Sequence, residues 1–364
     1  MRLHPAGPLL QPLLRLKPLK PLNKMSSSSS STQPPPQLPP LPEVERLAPG
    51  CIRILGGNPG KFTLQGTNTY LVGTGASRLL IDTGEGRASW LAALRRVLRA
   101  EGATVAAALL THWHHDHTGG VADLLAAWPG TPVHKHQPQP QPEQESEEED
   151  AAGWAGLADG QTFRVEGATL TAAHTPGHTA DHVVLFWAER GALFTGDNVL
   201  GHGTSVFEDL AAYVASLERM RRLYDGDGRE AGGQQQQQQQ QATAYPGHGA
   251  VVLDGPGKIA EYIRHRGQRE EQVVQTLRSA LGNGEVAAAE EGSGKGTGNW
   301  SGGDGWTVME LVRSIYRDVP ETLHPAAAGG VAQILQKLQK EGRVVEVDDG
   351  ERWRLASGSG RSAL

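Results

Sequence analysis

Between residues 111 and 120 the chain reads THWHHDHTGG, which puts four histidines and one aspartate into the six positions from His112 to His117. The apolar run Val105 to Leu110 before it reads as a strand, and the Gly119-Gly120 pair after it opens a helical stretch. A loop between strand and helix is a place where several side chains can converge on one cleft. His112 and His114, two apart on extended backbone, project to the same side. Asp116 and His117 follow as the chain turns. The spacing H-x-H-x-D-H therefore supplies two pairs of ligands, one pair for each of two metals, with His115 in a spacer position. The bland alternative is a solvated histidine cluster, which the strand before and the glycines after disfavour. Neutral imidazole and carboxylate suit Zn²⁺, with Mn²⁺ and Fe²⁺ as alternatives.

The rest of the composition narrows what such a loop can do. Cys51 stands alone, which excludes a disulfide framework and any thiolate metal cage. The formal charge of −6 gives no basic signature for nucleic acid or membrane. No apolar run approaches the ~20 residues of a membrane span. The chain's 47 glycines and 23 prolines point to stretches that carry no fold.

Those stretches are visible. Residues 1–42 are basic, serine-rich and free of acid until Glu43. They read as a leader resembling a transit peptide for mitochondrion or plastid; the alternatives, for a cytoplasmic protein, are a disordered tail or an over-extended start with Met25 as the first residue. Insertions read at 136–150 (Pro-Gln alternation, then an acidic block) and 226–241 (a polyglutamine tract), a flexible linker at 282–305, and a frayed tail.

Between them the sequence is patterned. Strand-type runs recur at Asn68 to Val72, Arg78 to Ile81, Thr104 to Leu110, Thr169 to Ala173, His182 to Trp187, Ala192 to Phe194 and Ala242 to Tyr245. Helical periodicity marks Ser89 to Leu98, Gly120 to Trp128, Leu210 to Tyr224 and Lys258 to Leu281. Strands mixed with helices predict layered α/β architecture.

Three further segments end a strand in one ligand-type residue: His178 in TAAHTPGHTADH, Asp197 in LFTGDN and His248 in TAYPGHG. Each is weak by itself. Together with the first motif they resemble the metallo-β-lactamase superfamily, whose metal motifs occur in this order. The resemblance implies an αββα sandwich. It implies that His112, His114 and His178 hold one metal, that Asp116, His117 and His248 hold the other, and that Asp197 bridges them. Asp82, in LLIDTG, matches the superfamily's buried aspartate beneath the histidine loop; a simple turn aspartate is the alternative.

Longer segments, NPGKFTLQGTNTYLVG, GDNVLGHGTSVFEDLAAYVASLERM and IRHRGQREEQV, look like the β-lactamase-like protein 2 group of endoribonucleases. That resemblance implies two Zn²⁺ per chain, single-stranded RNA as substrate, and Asp116 as the catalytic residue that orients an attacking hydroxide. The alternatives are a thioester or acyl hydrolase of the glyoxalase II type, and a non-catalytic RNA-binding scaffold. Five other histidines carry weaker readings or none. His182 either orients His178 by a hydrogen bond or is packed. His202 is a candidate to protonate a leaving group. His174 reads as structural, and His134 and His136, leading into an insertion, carry no expected role.

The C-terminal residues 306–356 read as a winged-helix-like module. Thr307 and Glu310 form a capping box, and Val308, Leu311, Val312, Ile315 and Tyr316 make one apolar helical face. A second amphipathic helix runs from Val331 to Glu341 after a soft Ala-Ala-Ala-Gly-Gly connection, and VVEVDDGERWRL predicts a hairpin around Asp-Gly. From Trp306 to Leu364 eight Arg and Lys face eight Asp and Glu. Phosphate binding calls for clustered positive charge, so packing or dimerisation is an equal reading of this module.

Overall fold

A computed structural model describes residues 38–137, 153–226, 242–283, 305–348 and 351–356. Nearly all of the expected leader, the bulk of both insertions and of the linker, the Asp-Gly turn of the C-terminal hairpin and the tail lie outside the described residues.

Two sheets stack face to face. The first contains, in chain order, β1 (Val44–Ala48), β2 (Cys51–Leu55), β3 (Asn68–Val72), β4 (Ser77–Ile81), β5 (Thr104–Leu110), β6 (Val133–Lys135) and β7 (Ala155–Gly156). The second runs β12 (Ala244–Pro246), β11 (Ala192–Gly196), β10 (Val183–Trp187), β9 (Ala168–His174), β8 (Thr162–Val165). Side-chain alternation along each strand then sorts the core into three layers. Tyr70, Val72, Leu79, Ile81, Ala107 and Leu109 of the first sheet meet Val183, Leu185, Trp187 and Phe194 of the second. The alternate residues Leu71, Leu80, Ala108 and Leu110 face outward, under Trp90, Leu94 and Leu98 of α1 (Ala88–Glu101) and Val121 and Leu124 of α3 (Val121–Ala127). Val184, Phe186 and Leu193 face outward on the other side, under α4 (Leu210–Asp225) and α5 (Gly255–Asn283). Both faces of each sheet are therefore buried, which is why the central strands read as apolar runs with no polar face. The expected αββα sandwich is the fold observed.

The C-terminal module consists of α6 (Val308–Ile315), α7 (His324–Lys340) and the antiparallel hairpin of β13 (Val344–Val347) and β14 (Arg352–Leu355). The capping box is formed, with the Thr307 hydroxyl accepting from Glu310 N and the Glu310 carboxylate accepting from Thr307 N. One expectation changes. Ala326 to Gly330 do not form a soft connection but the second turn of α7, which begins seven residues earlier than its periodicity suggests. Pro325 in the first turn needs no hydrogen-bonded N–H there, and packing against the rest of the module compensates for the poor propensity of two glycines. The module also shares its core with the sandwich: Leu311, Val312, Val331, Leu335, Leu338 and Trp353 belong to the same buried cluster as Leu217, Tyr262 and Val274. No described helix is long and apolar enough to cross a membrane.

The topology brings several strand ends to one edge of the sandwich. β4 and β5 are parallel, as are β11 and β12, so the carboxyl ends of each pair emerge together. Asp82, His112, Asp197 and His248 all follow those ends.

Candidate metal centre

The loop after β5 runs into a single helical turn, α2 (His115–Thr118). His112 and His117 are fully buried, His114 and Asp116 are partly buried, and His115 is exposed. The turn at α2 explains the spacing: His115 faces solvent while Asp116 and His117 turn back inward. His178 sits on the loop between β9 and β10, Asp197 directly after β11, and His248 just after β12.

The seven donors converge. His112 Nε2 lies 3.0 Å from His114 Nδ1, and His178 Nε2 lies 3.1 Å from the same atom. On the other side His248 Nε2 is 3.3 Å from His117 Nε2 and 3.2 Å from Asp116 Oδ2. Asp197 spans the two groups. Its Oδ2 is 3.2 Å from His248 Nε2 and 3.7 Å from His178 Nε2, and its Oδ1 is 3.5 Å from His117 Nε2. Three metal-capable groups result: His112 with His114 and His178; Asp116 with His117 and His248; and Asp197 with His112 and His117. These are the seven residues expected from sequence, in the same pairing.

The donor set fits divalent cations. Asp197 Oδ1 and His248 Nδ1 are buried without a hydrogen bond, and an unsatisfied buried carboxylate oxygen is costly unless a cation or donor faces it. Gly247 leaves the room: a Cβ there would come within 2.3 Å of Asp197 Oδ1 and 2.9 Å of His117 Cε1. The protonation preferences agree. Burial, then neighbouring imidazoles, push His112 and His114 below the ordinary histidine range, which leaves their lone pairs free. Burial also opposes charge on His117 and His248, but Asp197, with Asp82 and Asp116 beside it, outweighs this. His117 is held well above its usual value and His248 at about 9. Burial disfavours the Asp116 and Asp197 carboxylates as well, yet both lie below the usual range because the neighbouring His117 and His248 attract their negative charge. Protons there occupy the place a cation would take.

Three of the imidazoles, those of His112, His117 and His178, are aimed from behind. Asp82 adopts a left-handed backbone (φ 57°) and accepts from Thr111 N at 2.8 Å, from Thr111 Oγ1 at 2.9 Å and from His117 Nδ1 at 2.8 Å. Such strain in a non-glycine residue persists where surrounding contacts fix it. Because its hydrogen donates to Asp82, Thr111 Oγ1 accepts from His112 Nδ1 at 3.0 Å. One aspartate thus orients two histidines, which is more than the turn role weighed from sequence. His178 Nδ1 donates to Val206 O at 2.9 Å. Thr67 Oγ1 donates to Asp116 Oδ2 at 3.2 Å and is itself held by Asn58 Nδ2 at 3.0 Å.

The guarded histidines resolve differently. His182 is fully buried and makes no hydrogen bond to His178; its Nε2 accepts from Asp197 N at 3.1 Å and its Nδ1 meets Thr175 Oγ1 at 3.1 Å. It therefore positions the backbone of Asp197. His202 is exposed and belongs to none of the metal-capable groups. His174 packs on His136 with ring centroids 4.1 Å apart, away from the donors. His134 lies within β6, a strand too short for a periodic signal, and His136 follows it; β6 also carries Lys135, whose ammonium meets buried Asp181 of the His178 loop at 2.8 Å. That pair, Thr111, Thr67 and the Val206 carbonyl escaped sequence reasoning, because threonines and backbone carbonyls carry no ligand signature.

Three of the four exposed large hydrophobics among the described residues lie on segments that carry the centre. Trp113 stands between His112 and His114 with its ring 4.6 Å from that of His114. Val206 follows Ser205 beside His178, and Phe62 sits on the loop leading to Thr67.

Comparison with known proteins agrees with this architecture. The model of the metallo-beta-lactamase superfamily matches residues 62–252, and that of the beta-lactamase associated winged helix domain matches residues 307–353. The chain is 43% identical over 305 residues to the lactamase-like protein adaB of Aspergillus niger, covering 83% of this chain and 84% of that one. It is 41% identical over 317 residues to an atrochrysone carboxyl ACP thioesterase of Aspergillus chevalieri, covering 86% and 89%. A beta-lactamase domain protein from Burkholderia ambifaria shares the fold with a TM-score of 0.58 at 19% identity, over 86% of this chain and 93% of that one. These names speak of lactamase-like proteins and thioesterases, and give no support to the endoribonuclease group expected from the long segments. The structure supplies a reason. Those segments build the metal centre: Asn68 Nδ2 binds the carbonyls of Pro246 and Gly249 beside His248, and Tyr70 OH binds that of Pro246. Residues that hold the donors report on the metal centre and not on what it cleaves.

Proposed function

The chain belongs to the metallo-β-lactamase superfamily of hydrolases, and we propose that it is a zinc-dependent thioesterase acting on acyl groups carried by a thiol. The observation that carries this reading is the near full-length similarity to acyl carrier protein thioesterases, 41% over 86% of this chain. This was the alternative to RNA cleavage at the level of sequence. The exposed apolar ring of Trp113 against His114, with Val206 and Phe62 exposed on the segments leading to His178 and Thr67, suits an acyl group better than a phosphodiester backbone.

Two divalent cations, when bound, supply Lewis acidity and bring the pKa of water toward neutrality. His112, His114 and His178 would hold one, Asp116, His117 and His248 the other, with Asp197 between them. Asp116, at the cleft edge and anchored by Thr67, orients the attacking water. Oxygen attacks the thioester carbonyl carbon, the carbon–sulfur bond breaks, and the products are a carboxylic acid and a thiol. A thiol, with pKa ~8.5 when free, departs as thiolate without an acid to protonate it. An alkoxide leaving group needs one more often, and His202, the candidate acid, stands outside the donor cluster.

The test is zinc-loaded protein offered an acyl carrier protein thioester, an acyl-coenzyme A, a glutathione thioester and labelled single-stranded RNA side by side. Thioester hydrolysis well above RNA cleavage is expected. RNA cutting that outpaces every thioester would restore the endoribonuclease reading, and protein that folds without taking up metal would remove both.

A further inference from the structure

Two side chains of the winged-helix module, Gln333 and Lys340, reach the segment that borders the metal centre. Gln333 of α7 accepts from Leu210 N at 3.1 Å with its Oε1 and donates to Phe207 O at 3.0 Å with its Nε2. The segment it brackets is irregular, and the carbonyl that orients His178, Val206 O, belongs to the residue just before it. Two residues before Phe207, the Ser205 carbonyl accepts from Arg266 of α5 at 2.7 Å, and the Arg266 guanidinium lies 4.6 Å over the Phe207 ring. The carbonyls of Ser205 and Phe207 are thus held by α5 and α7, and the one between them, Val206 O, points the other way, to His178 Nδ1 at 2.9 Å. Adjacent carbonyls diverge in this way along an extended chain.

The loop that carries His178 is tied to the same segment. Glu208 N and Asp209 N donate to Gly177 O at 2.7 and 3.2 Å. Gly177 lies so close to α4 that a Cβ would come within 2.3 Å of Tyr213 Cα. His178 therefore takes its orientation from residues 205–210, and those residues take theirs from α5 and α7.

The face of α7 that does this is its polar one. Gln333, Lys337 and Lys340, spaced i, i+4 and i+7, share a helical stripe. Lys337 pairs with Glu270 at 2.6 Å and Lys340 with Asp209 at 3.0 Å. The opposite stripe, Val331, Ile334, Leu335 and Leu338, fills the core. In DNA-binding helix-turn-helix modules the second helix presents its polar face to a groove. Here that face is spent on the catalytic domain.

We propose that the winged-helix module is a clamp for the metal centre, in which Gln333 is a positioning residue that fixes the 205–210 segment and thereby the direction and tautomer of His178. This does not depend on the substrate, so it can fail while the thioesterase reading stands. The test uses the full chain with Gln333→Met, which keeps the volume and removes both hydrogen bonds, and Gln336→Met, an exposed change on the same helix, as control. Affinities of both metal equivalents are measured by chelator competition and by the visible spectrum of the cobalt-loaded protein. The His178 Nδ1–H signal is followed in metal-free, ¹⁵N-histidine-labelled protein. Gln333→Met should weaken one metal equivalent by about 10-fold, at the low end of what loss of a ligand's outer partner costs. It should also shift the cobalt bands and broaden the His178 N–H signal. Gln336→Met should match the parent. If Gln333→Met does not fold, Gln333→Glu, which keeps the acceptor for Leu210 N and loses the donor to Phe207 O, must show the same one-site loss. Unchanged affinity at both sites with an unchanged His178 signal overturns the proposal. So does an equal loss at both sites that follows a lower melting temperature.

Discussion

Asp82, just after β4, and His117, in α2, are 35 residues apart and meet at 2.8 Å with both side chains buried. That contact fixes the Nδ1 proton of His117 and leaves its Nε2 directed at the donor cluster. The same carboxylate reaches His112 through Thr111, so two ligand orientations depend on one residue whose backbone is left-handed.

Asp82→Asn separates charge from conformation, because asparagine tolerates positive φ and keeps the side-chain shape. Loss of a carboxylate behind ligating histidines costs 10- to 100-fold in metal affinity in order-of-magnitude terms. The substitution should lower zinc affinity in that range while circular dichroism stays native. Chelator competition gives the answer, and full retention of affinity would mean that Asp82 serves only the turn.

His115 and Asp116 are neighbours with opposite expectations. Asp116→Ala should abolish turnover, since it removes a donor 3.2 Å from His248 and the anchor point of Thr67. His115→Ala, on the solvent side of α2, should keep activity within about twofold, as surface changes away from special contacts usually do. Similar losses in steady-state rates for both would show that the loop is misassigned.

The metal-free centre should be a pH-dependent reservoir of protons. His248 is raised from 6.5 to about 9, so the stability it contributes is complete below pH 6.5 and is lost as pH rises through about 9. Asp116 and Asp197 are lowered, so their contribution is present above the usual carboxylate range and is lost in acid. Zinc loading at pH 7 should release protons, and the number released should fall as the titration is repeated toward and beyond pH 9. A proton release independent of pH across that interval would contradict the arrangement of carboxylates around His248.

How much of this was legible follows from what each residue does. The loop from His112 to His117 was legible because metal coordination restricts residue type and spacing, whereas His178, Asp197 and His248, one to a segment, stood out only through the family resemblance. The sandwich was readable because strands buried on both faces leave long apolar runs. The supporting layer was not: Thr111, Thr67 and the Val206 carbonyl act through atoms that any chain possesses. The beginning of α7 was hidden because Ala326 to Gly330 have the composition of a connection, and only tertiary packing makes them helix. Substrate class was not legible for a related reason: the segments that suggested RNA, around Asn68 and Asp197, hold the donors in place, and the comparisons give the endoribonuclease group no support.

Trp113 is where substrate class should be felt. Its ring is about half exposed (49%) and borders His114, so Trp113→Ala removes apolar contact surface and no donor. At about 25 cal/mol per Å² of apolar area, loss of a partial ring contact is worth on the order of 1 kcal/mol, or roughly fivefold in KM. The expected outcome is a higher KM for long-chain acyl thioesters, a smaller change for acetyl thioesters, and little change in kcat. An equal effect on short and long acyl chains would move the acyl group elsewhere on the surface.

Truncation at Gly305 tests whether the C-terminal module is separable. A module joined only by a flexible linker would come away and leave a folded, metal-binding sandwich. The shared core argues otherwise. Leu311, Val312, Val331, Leu335, Leu338 and Trp353 pack in one cluster with Leu217, Tyr262 and Val274 of α4 and α5. Each fully buried aliphatic side chain contributes about 1.5–3 kcal/mol, and a whole domain is stable by only about 5–15 kcal/mol. Removing the module also strips the ion pairs of Glu270 with Lys337 and Arg343, leaving an apolar helix pair open to water. The truncated chain should therefore be aggregation-prone or lose its cooperative melt, and should bind zinc poorly in whatever fraction stays soluble. Soluble yield, a thermal melt and metal content per chain decide it. A truncated protein that melts like the parent and keeps its full complement of metal would show that the shared core contributes little, and that the sandwich stands by itself.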